Sequence, residues 1–202
     1  MRYITIEREY GSGGTKIAAE LAKQCHIPCY GKEILEAAAA KMNVPIDMIR
    51  VYEEKTTNSL LYSLYLLNQI RSGSSDNLLE EGKVFLEEQK IIQEFARKGS
   101  AVFLGHCATE ALESLGDVIK VFIHADEKTK RQRILEDYQI PDVEITSIER
   151  RNNRRRENYY VTNTGQKWMD FHNYDIVLDS SRLGIDGCVR LLKGLFETVE
   201  EI

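Results

Sequence analysis

Four short apolar runs recur along the chain, at residues 2–6, 100–104 (Ser-Ala-Val-Phe-Leu), 118–123 (Val-Ile-Lys-Val-Phe-Ile) and 175–179, with Pro28-Cys29-Tyr30 a candidate for a fifth and shorter one. Each reads as a buried strand. The intervening segments change period: 16–23, 33–41, 45–55, 60–70 and 77–98 place their apolar residues three and four apart, as a helix with one buried face does. Strands that are apolar throughout, alternating with helices, predict a parallel sheet covered on both sides, a three-layer α/β fold. In such folds functional residues gather at the carboxyl ends of the strands. Residues 8–15, Gly105-His106 and Asp179-Ser180-Ser181 occupy those ends, so they are expected to share a cleft.

About seventy helical residues separate the second strand from the third, more than a crossover needs. This reads as an inserted helical subdomain that closes over a substrate. Ser72-Gly73-Ser74-Ser75 interrupts it, and Asp76 or Asn77 is placed to cap the helix that follows. Leu60, Leu61, Leu64, Leu66 and Leu67 exceed what one helix face requires. A homodimer contact and a buried subdomain core explain them equally.

Composition narrows the function classes. The 202 residues carry a net charge of −5, which gives no global reason to expect nucleic acid or an anionic membrane as partner. No run of 18 apolar residues is present, and the first strand starts almost at once; the expectation is a cytoplasmic protein with no membrane span and no leader. Cys25, Cys29, Cys107 and Cys188 are scattered. Cys25-His26 with Cys29 has no second ligand pair at zinc-site spacing, so reduced, partly buried thiols are expected.

Candidate chemistry lies in two places. Arg8-Glu9-Tyr10-Gly11-Ser12-Gly13-Gly14-Thr15 falls between a strand and a helix, where backbone N–H groups and the helix dipole converge on a spot suited to phosphate. Against the pattern G-x-x-x-x-G-K-[ST], Gly13 matches the second glycine and Thr15 the hydroxyl that would touch Mg²⁺. Arg8 stands in the place of the first glycine, and Gly14 in the place of the lysine. The second place is Arg150, Arg151, Arg154, Arg155 and Arg156, five arginines within seven residues of one predicted helix. Like charges at that spacing repel and call for an anion. In an acidic chain with no interleaved aromatics here, a focused phosphate clamp is the better reading than a nucleic-acid surface.

Arg8-Glu9-Tyr10-Gly11-Ser12-Gly13-Gly14, Val102-Phe103-Leu104-Gly105-His106-Cys107-Ala108 and the run from Tyr159-Tyr160 through Thr164-Gly165 to Trp168 together resemble the cytidylate kinase-like family. Asn173-Tyr174-Asp175 and Ser181-Arg182-Leu183-Gly184-Ile185 extend the likeness to the last strand and helix. The resemblance implies a P-loop nucleoside-monophosphate kinase: a core at 1–30, 99–140 and 170–202, a helical substrate-binding insert at 31–98, and an arginine-rich lid at 141–169. It implies transfer of the γ-phosphoryl group of Mg-ATP to a pyrimidine monophosphate such as CMP or dCMP. Gly11, Ser12, Gly13, Gly14 and Thr15 would hold the donor phosphates, with Thr15 toward Mg²⁺. Arg154 and Arg156, with Arg150, Arg151 and Arg155 beside them on the lid, would clamp the transferring group. Arg133, Asp179, Ser180 and Ser181 would face the adenine, and Lys32 and His106 the acceptor. The family carries the same arginine before the loop and the same glycine in the lysine slot. Arg8 is the first candidate for the missing cation and the lid arginines are the second.

The chain departs from the family pattern at Gly31, where an aspartate is usual, at His106, where an arginine is usual, and at Asn153. Met169 and Lys130 also differ. These positions leave two readings open: an active nucleotide kinase, or a nucleotide-binding protein with an impaired site on the same scaffold.

Overall fold

The computed structural model describes residues 1–54 and 80–198. All five apolar runs form strands: β1 (Arg2–Arg8), β2 (Cys29–Tyr30), β3 (Ala101–Leu104), β4 (Asp117–His124) and β5 (Ile176–Asp179). They make one sheet in the order β2-β3-β1-β4-β5, with every pairing parallel. β1 lies at the centre, with Ile6 opposite Leu104 on one side and Arg8 opposite Ile123 on the other. The strand runs two residues past the apolar segment. Arg8 is therefore held in the sheet.

The described helices are α1 (Gly14–Gln24), α2 (Lys32–Met42), α3 (Ile46–Glu54), α4 (Glu80–Ala96), α5 (Ala108–Leu112), α6 (Glu127–Tyr138), α7 (Asp142–Thr164) and α8 (Ser180–Thr198), with a 3₁₀ turn at Phe171–Asn173. Residues 60–70, with their five leucines, the Ser72–Ser75 break and the Asp76 or Asn77 cap lie outside the described residues.

Alternation along β1 sends side chains to two cores. Ile4 and Ile6, with Val102, Val121, Ile123 and Leu178, pack under Ile17 and Leu21 of α1 and Val189 and Leu192 of α8. Tyr3 and Phe103 pack on the other face against Ile34 of α2, Ile91 and Ile92 of α4 and Leu112 of α5. The result is the expected three layers. A smaller cluster of Phe85, Cys107, Phe122, Tyr160 and Trp168 fastens the end of α7 to the sheet.

That cluster explains the Tyr-Tyr…Trp run. Gly165 caps α7 at φ +71°, Thr164 Oγ1 donates to the Tyr160 carbonyl (2.8 Å), and Gln166 N donates back to Thr164 Oγ1 (3.1 Å). The chain then turns under the sheet, where Trp168 is 1% exposed and its Nε1 donates to Glu7 Oε2 (3.2 Å). α7 is thereby anchored beside the end of β1. Among the described residues no helix is long and apolar enough to cross a membrane.

Candidate active site

The loop after β1 turns on Gly11 and Gly13, both at positive φ (+79° and +80°). Glycine adopts that conformation without steric cost. Ser12 between them is fully buried; its Oγ donates to the Glu9 carbonyl (2.8 Å) and accepts from Gly14 N (3.3 Å). Its carbonyl is drawn inward by Arg133 Nη1 (2.7 Å) and Ser180 Oγ (2.6 Å). Gly13 caps α1, so the loop presents the first N–H groups of that helix, the groups that no intrahelical carbonyl satisfies. Thr15 is exposed in this first turn.

The sequence expectation put Arg133, Asp179, Ser180 and Ser181 against a base. In the structure Arg133 donates to Ser12 O, Ser180 Oγ and Ser180 O, so it splints the loop to the start of α8. Ser180 is fully buried. Asp179 accepts from Ser181 N (2.9 Å) and from Ser181 Oγ, and these hydrogen bonds hold its carboxyl below the usual aspartate range.

Across the end of β1 lies a cavity of about 260 Å³, lined by Glu7, Arg8, Leu35, Gly105, His106, Asn152, Arg155, Arg156, Tyr159 and Tyr160. Three guanidinium groups and an imidazole meet there at the strand ends. Arg156 Nη1 donates to the Arg8 carbonyl (2.9 Å), and its guanidinium lies 5.6 Å from the Tyr10 ring centre. Burial, then the charge of Arg8, pulls the Arg156 guanidinium down to about 9. An anion bound beside these cations would favour the charged form and offset part of that penalty.

The lid arginines do not act as one block. Helical phase sorts α7 into two stripes. Asn152, Arg155, Arg156 and Tyr159 face the cavity. Arg150 and Arg154 lie with Glu149, Asn153, Glu157, Asn158 and Val161 along a separate groove. Arg154 is exposed there, away from the cavity, and Arg151 is exposed as well. Lys32, the first residue of α2, is 69% exposed and pairs with Glu36 (2.5 Å), and it does not line the cavity.

Asn153, one of the departures from the family pattern, ties the lid helix to the loop. Its Oδ1 accepts from Tyr10 N (2.6 Å). Lys130, nearly buried, bridges Glu9 (3.3 Å) and Glu149 (2.7 Å) and makes a second tie. Its lysine pKa is raised: burial opposes this, and the two carboxylates outweigh burial.

His106 enters the cavity from a strained corner. Gly105, His106 and Cys107 all have positive φ (+77°, +58° and +48°) at the end of β3. Non-glycine residues there cost on the order of 1 kcal/mol each, and such strain clusters at functional sites. Gln89 Nε2 holds the corner through the His106 carbonyl (3.0 Å). Behind it, Glu88 is fully buried; it accepts from the Tyr159 hydroxyl and lies 3.5 Å from His106 Nδ1.

Glu88, Glu7 and Tyr159 have no role in the sequence reading. Glu88 did carry a signal. With Gln89 it interrupts the stripe Val84, Phe85, Ile91, Ile92 and Ala96, where a solvated acid has no place.

A parallel sheet with a glycine loop after its central strand, and an arginine-bearing helix tied over that loop, is an α/β fold of the P-loop type. The chain belongs to the cytidylate kinase-like family, whose model matches residues 3–182. Among solved structures it is similar to an uncharacterized protein from Eubacterium ventriosum, at 22% identity and a TM-score of 0.71, over 98% of this chain and 99% of that one. It is also similar to TT1252 from Thermus thermophilus (16% identity, TM-score 0.53, 98% and 97% covered). Shikimate kinase from Bacteroides thetaiotaomicron shows a looser likeness (13% identity, TM-score 0.49, 98% of each chain). No curated protein matches the chain in sequence.

Proposed function

We propose that the protein transfers the γ-phosphoryl group of ATP to a pyrimidine nucleoside monophosphate of the CMP or dCMP type. The observation that carries this reading is the cavity lined by Arg8, His106, Arg155 and Arg156, at the end of the strand that leads into the glycine loop. Phosphoryl transfer is catalysed by positioning and charge neutralisation, with little covalent work for the protein. The loop supplies backbone N–H groups from Gly11 to Thr15 for the donor phosphates. The cavity supplies fixed cations within reach of an acceptor phosphate and of the group in flight.

Roles follow from placement. Arg156 and Arg8 face the charge that develops on the transferring group. Arg155, His106 and Tyr159, which line the cavity, would take the acceptor phosphate. Arg133 and Ser180 keep the loop in its binding shape. Arg150, Arg151 and Arg154 remain on exposed stripes of α7, and Lys32 stays paired with Glu36 outside the cavity lining. Mg²⁺ fits as a partner of ATP: the Thr15 hydroxyl is exposed at the start of α1, and phosphates and water fill most positions around such an ion. Bound there, it would neutralise charge on the β- and γ-phosphates.

The test is ADP release with Mg-ATP and a panel of nucleoside monophosphates, run beside thermal melts with ATP alone. Turnover highest with CMP or dCMP is expected. An ATP-induced rise in Tm without turnover on any monophosphate would instead assign the protein a binding role on an impaired site.

A further inference from the structure

Two departures from the usual phosphate loop, an arginine at 8 and a glycine at 14, are one change. A Cβ at position 14 would stand 2.6 Å from Arg8 Cβ and 2.9 Å from Arg8 Cγ. Real side chains do not approach so closely, and Arg8 cannot yield at these atoms because they are next to its backbone in β1. A side chain can occupy position 8 or position 14, and not both. At its other end the Arg8 side chain reaches Gly105, where an added Cβ would stand 2.6 Å from Nη1. Arg8 therefore runs beneath the start of α1 and delivers its guanidinium to the corner of β3 that opens on the cavity.

We propose that Arg8 and Gly14 are a reciprocal exchange for the glycine and lysine of the common loop, with the phosphate-binding cation supplied from the strand through the space the lysine stem would need. Gly105 is part of the same device, because it clears the far end of the path. The exchange has a chemical consequence. A lysine on α1 brings one compact charge to the donor side. A guanidinium lying between loop and cavity presents a planar fork that can bond two phosphate oxygens at once. Arg8 is thus placed to hold donor and acceptor phosphates in one register across the seam where transfer occurs. This rests on the reading of the loop as a donor-phosphate site.

The experiment separates the steric claim from the functional one. Gly14→Ala is made in the wild type and in Arg8→Gly, and Tm is measured for all four proteins. Overpacking against a fixed neighbour should lower Tm by roughly 3–10 °C in the wild type, and by under about 2 °C once Arg8 is glycine. Equal losses in the two backgrounds overturn the exchange. This arm needs no substrate, so it reads the coupling even where the kinase reading fails.

The second arm is affinity for Mg-ATP, followed by calorimetry. Arg8→Gly should weaken binding by about tenfold or more, and Arg8→Gly/Gly14→Lys should recover most of that loss. A double variant that binds no better than Arg8→Gly/Gly14→Ala overturns the functional exchange, as does a wild type that binds no ATP. If Arg8→Gly does not fold, Gly14→Ala alone decides: unchanged Tm and ATP affinity would contradict the packing of Arg8 into that space.

Discussion

Glu88 shows how much of this site is decided one residue at a time. A carboxylate with no access to water keeps its charge only if it is paired and hydrogen-bonded. Its partners on the cavity side are Tyr159 and His106, both in the wall of the cavity. The cavity histidine thus has a buried carboxylate directly behind it. Glu88→Gln keeps the shape and removes the charge. It should raise KM for the monophosphate about tenfold and leave KM for ATP within about twofold, since disturbing a buried charged hydrogen bond costs about 1–3 kcal/mol. Steady-state kinetics with each substrate varied in turn checks this; equal rises in both constants would show that Glu88 acts through the fold as a whole.

At the scale of elements, α7 is held against the loop by three ties: Asn153 to Tyr10 N, Arg156 to the Arg8 carbonyl, and the bridge from Glu149 through Lys130 to Glu9. Asn153→Ala removes the first and leaves Tyr10 N unpaired. The expected cost is about 1 kcal/mol, read as a fall in Tm of roughly 2–4 °C, while Asn153→Asp keeps an acceptor and should melt within about 1 °C of wild type. Thermal melts of the two variants side by side test the tie. Much of the element pattern was legible: the strands are apolar runs, and apolar residues three and four apart mark α1 to α4, whereas α6 and α7 are too polar to show that period. The sorting of the lid arginines was legible in principle too, because Arg155 and Arg156 share a stripe with Tyr159 that Arg150 and Arg154 do not. What periodicity cannot carry is contact through space. Arg8 against Gly14, Arg133 turned inward on Ser12, and Asn153 reaching Tyr10 depend on how distant elements dock.

On the scale of the whole molecule, one sheet brings three strand ends to one place. β1 supplies Arg8 and the loop, β3 supplies Gly105 and His106, and β5 leads into Ser180, which fastens the loop from behind. The packing of both sheet faces fixes these ends, so the cations are set before any ligand arrives. Such preorganisation is what phosphoryl transfer requires of a protein. The most direct measurement follows the phosphoryl group itself: ATP labelled at the γ-phosphate is incubated with Mg²⁺, CMP or dCMP, and the protein. Label is expected in the nucleoside diphosphate formed from the acceptor. Label that stays in ATP, or leaves it only as inorganic phosphate, would contradict transfer to the acceptor.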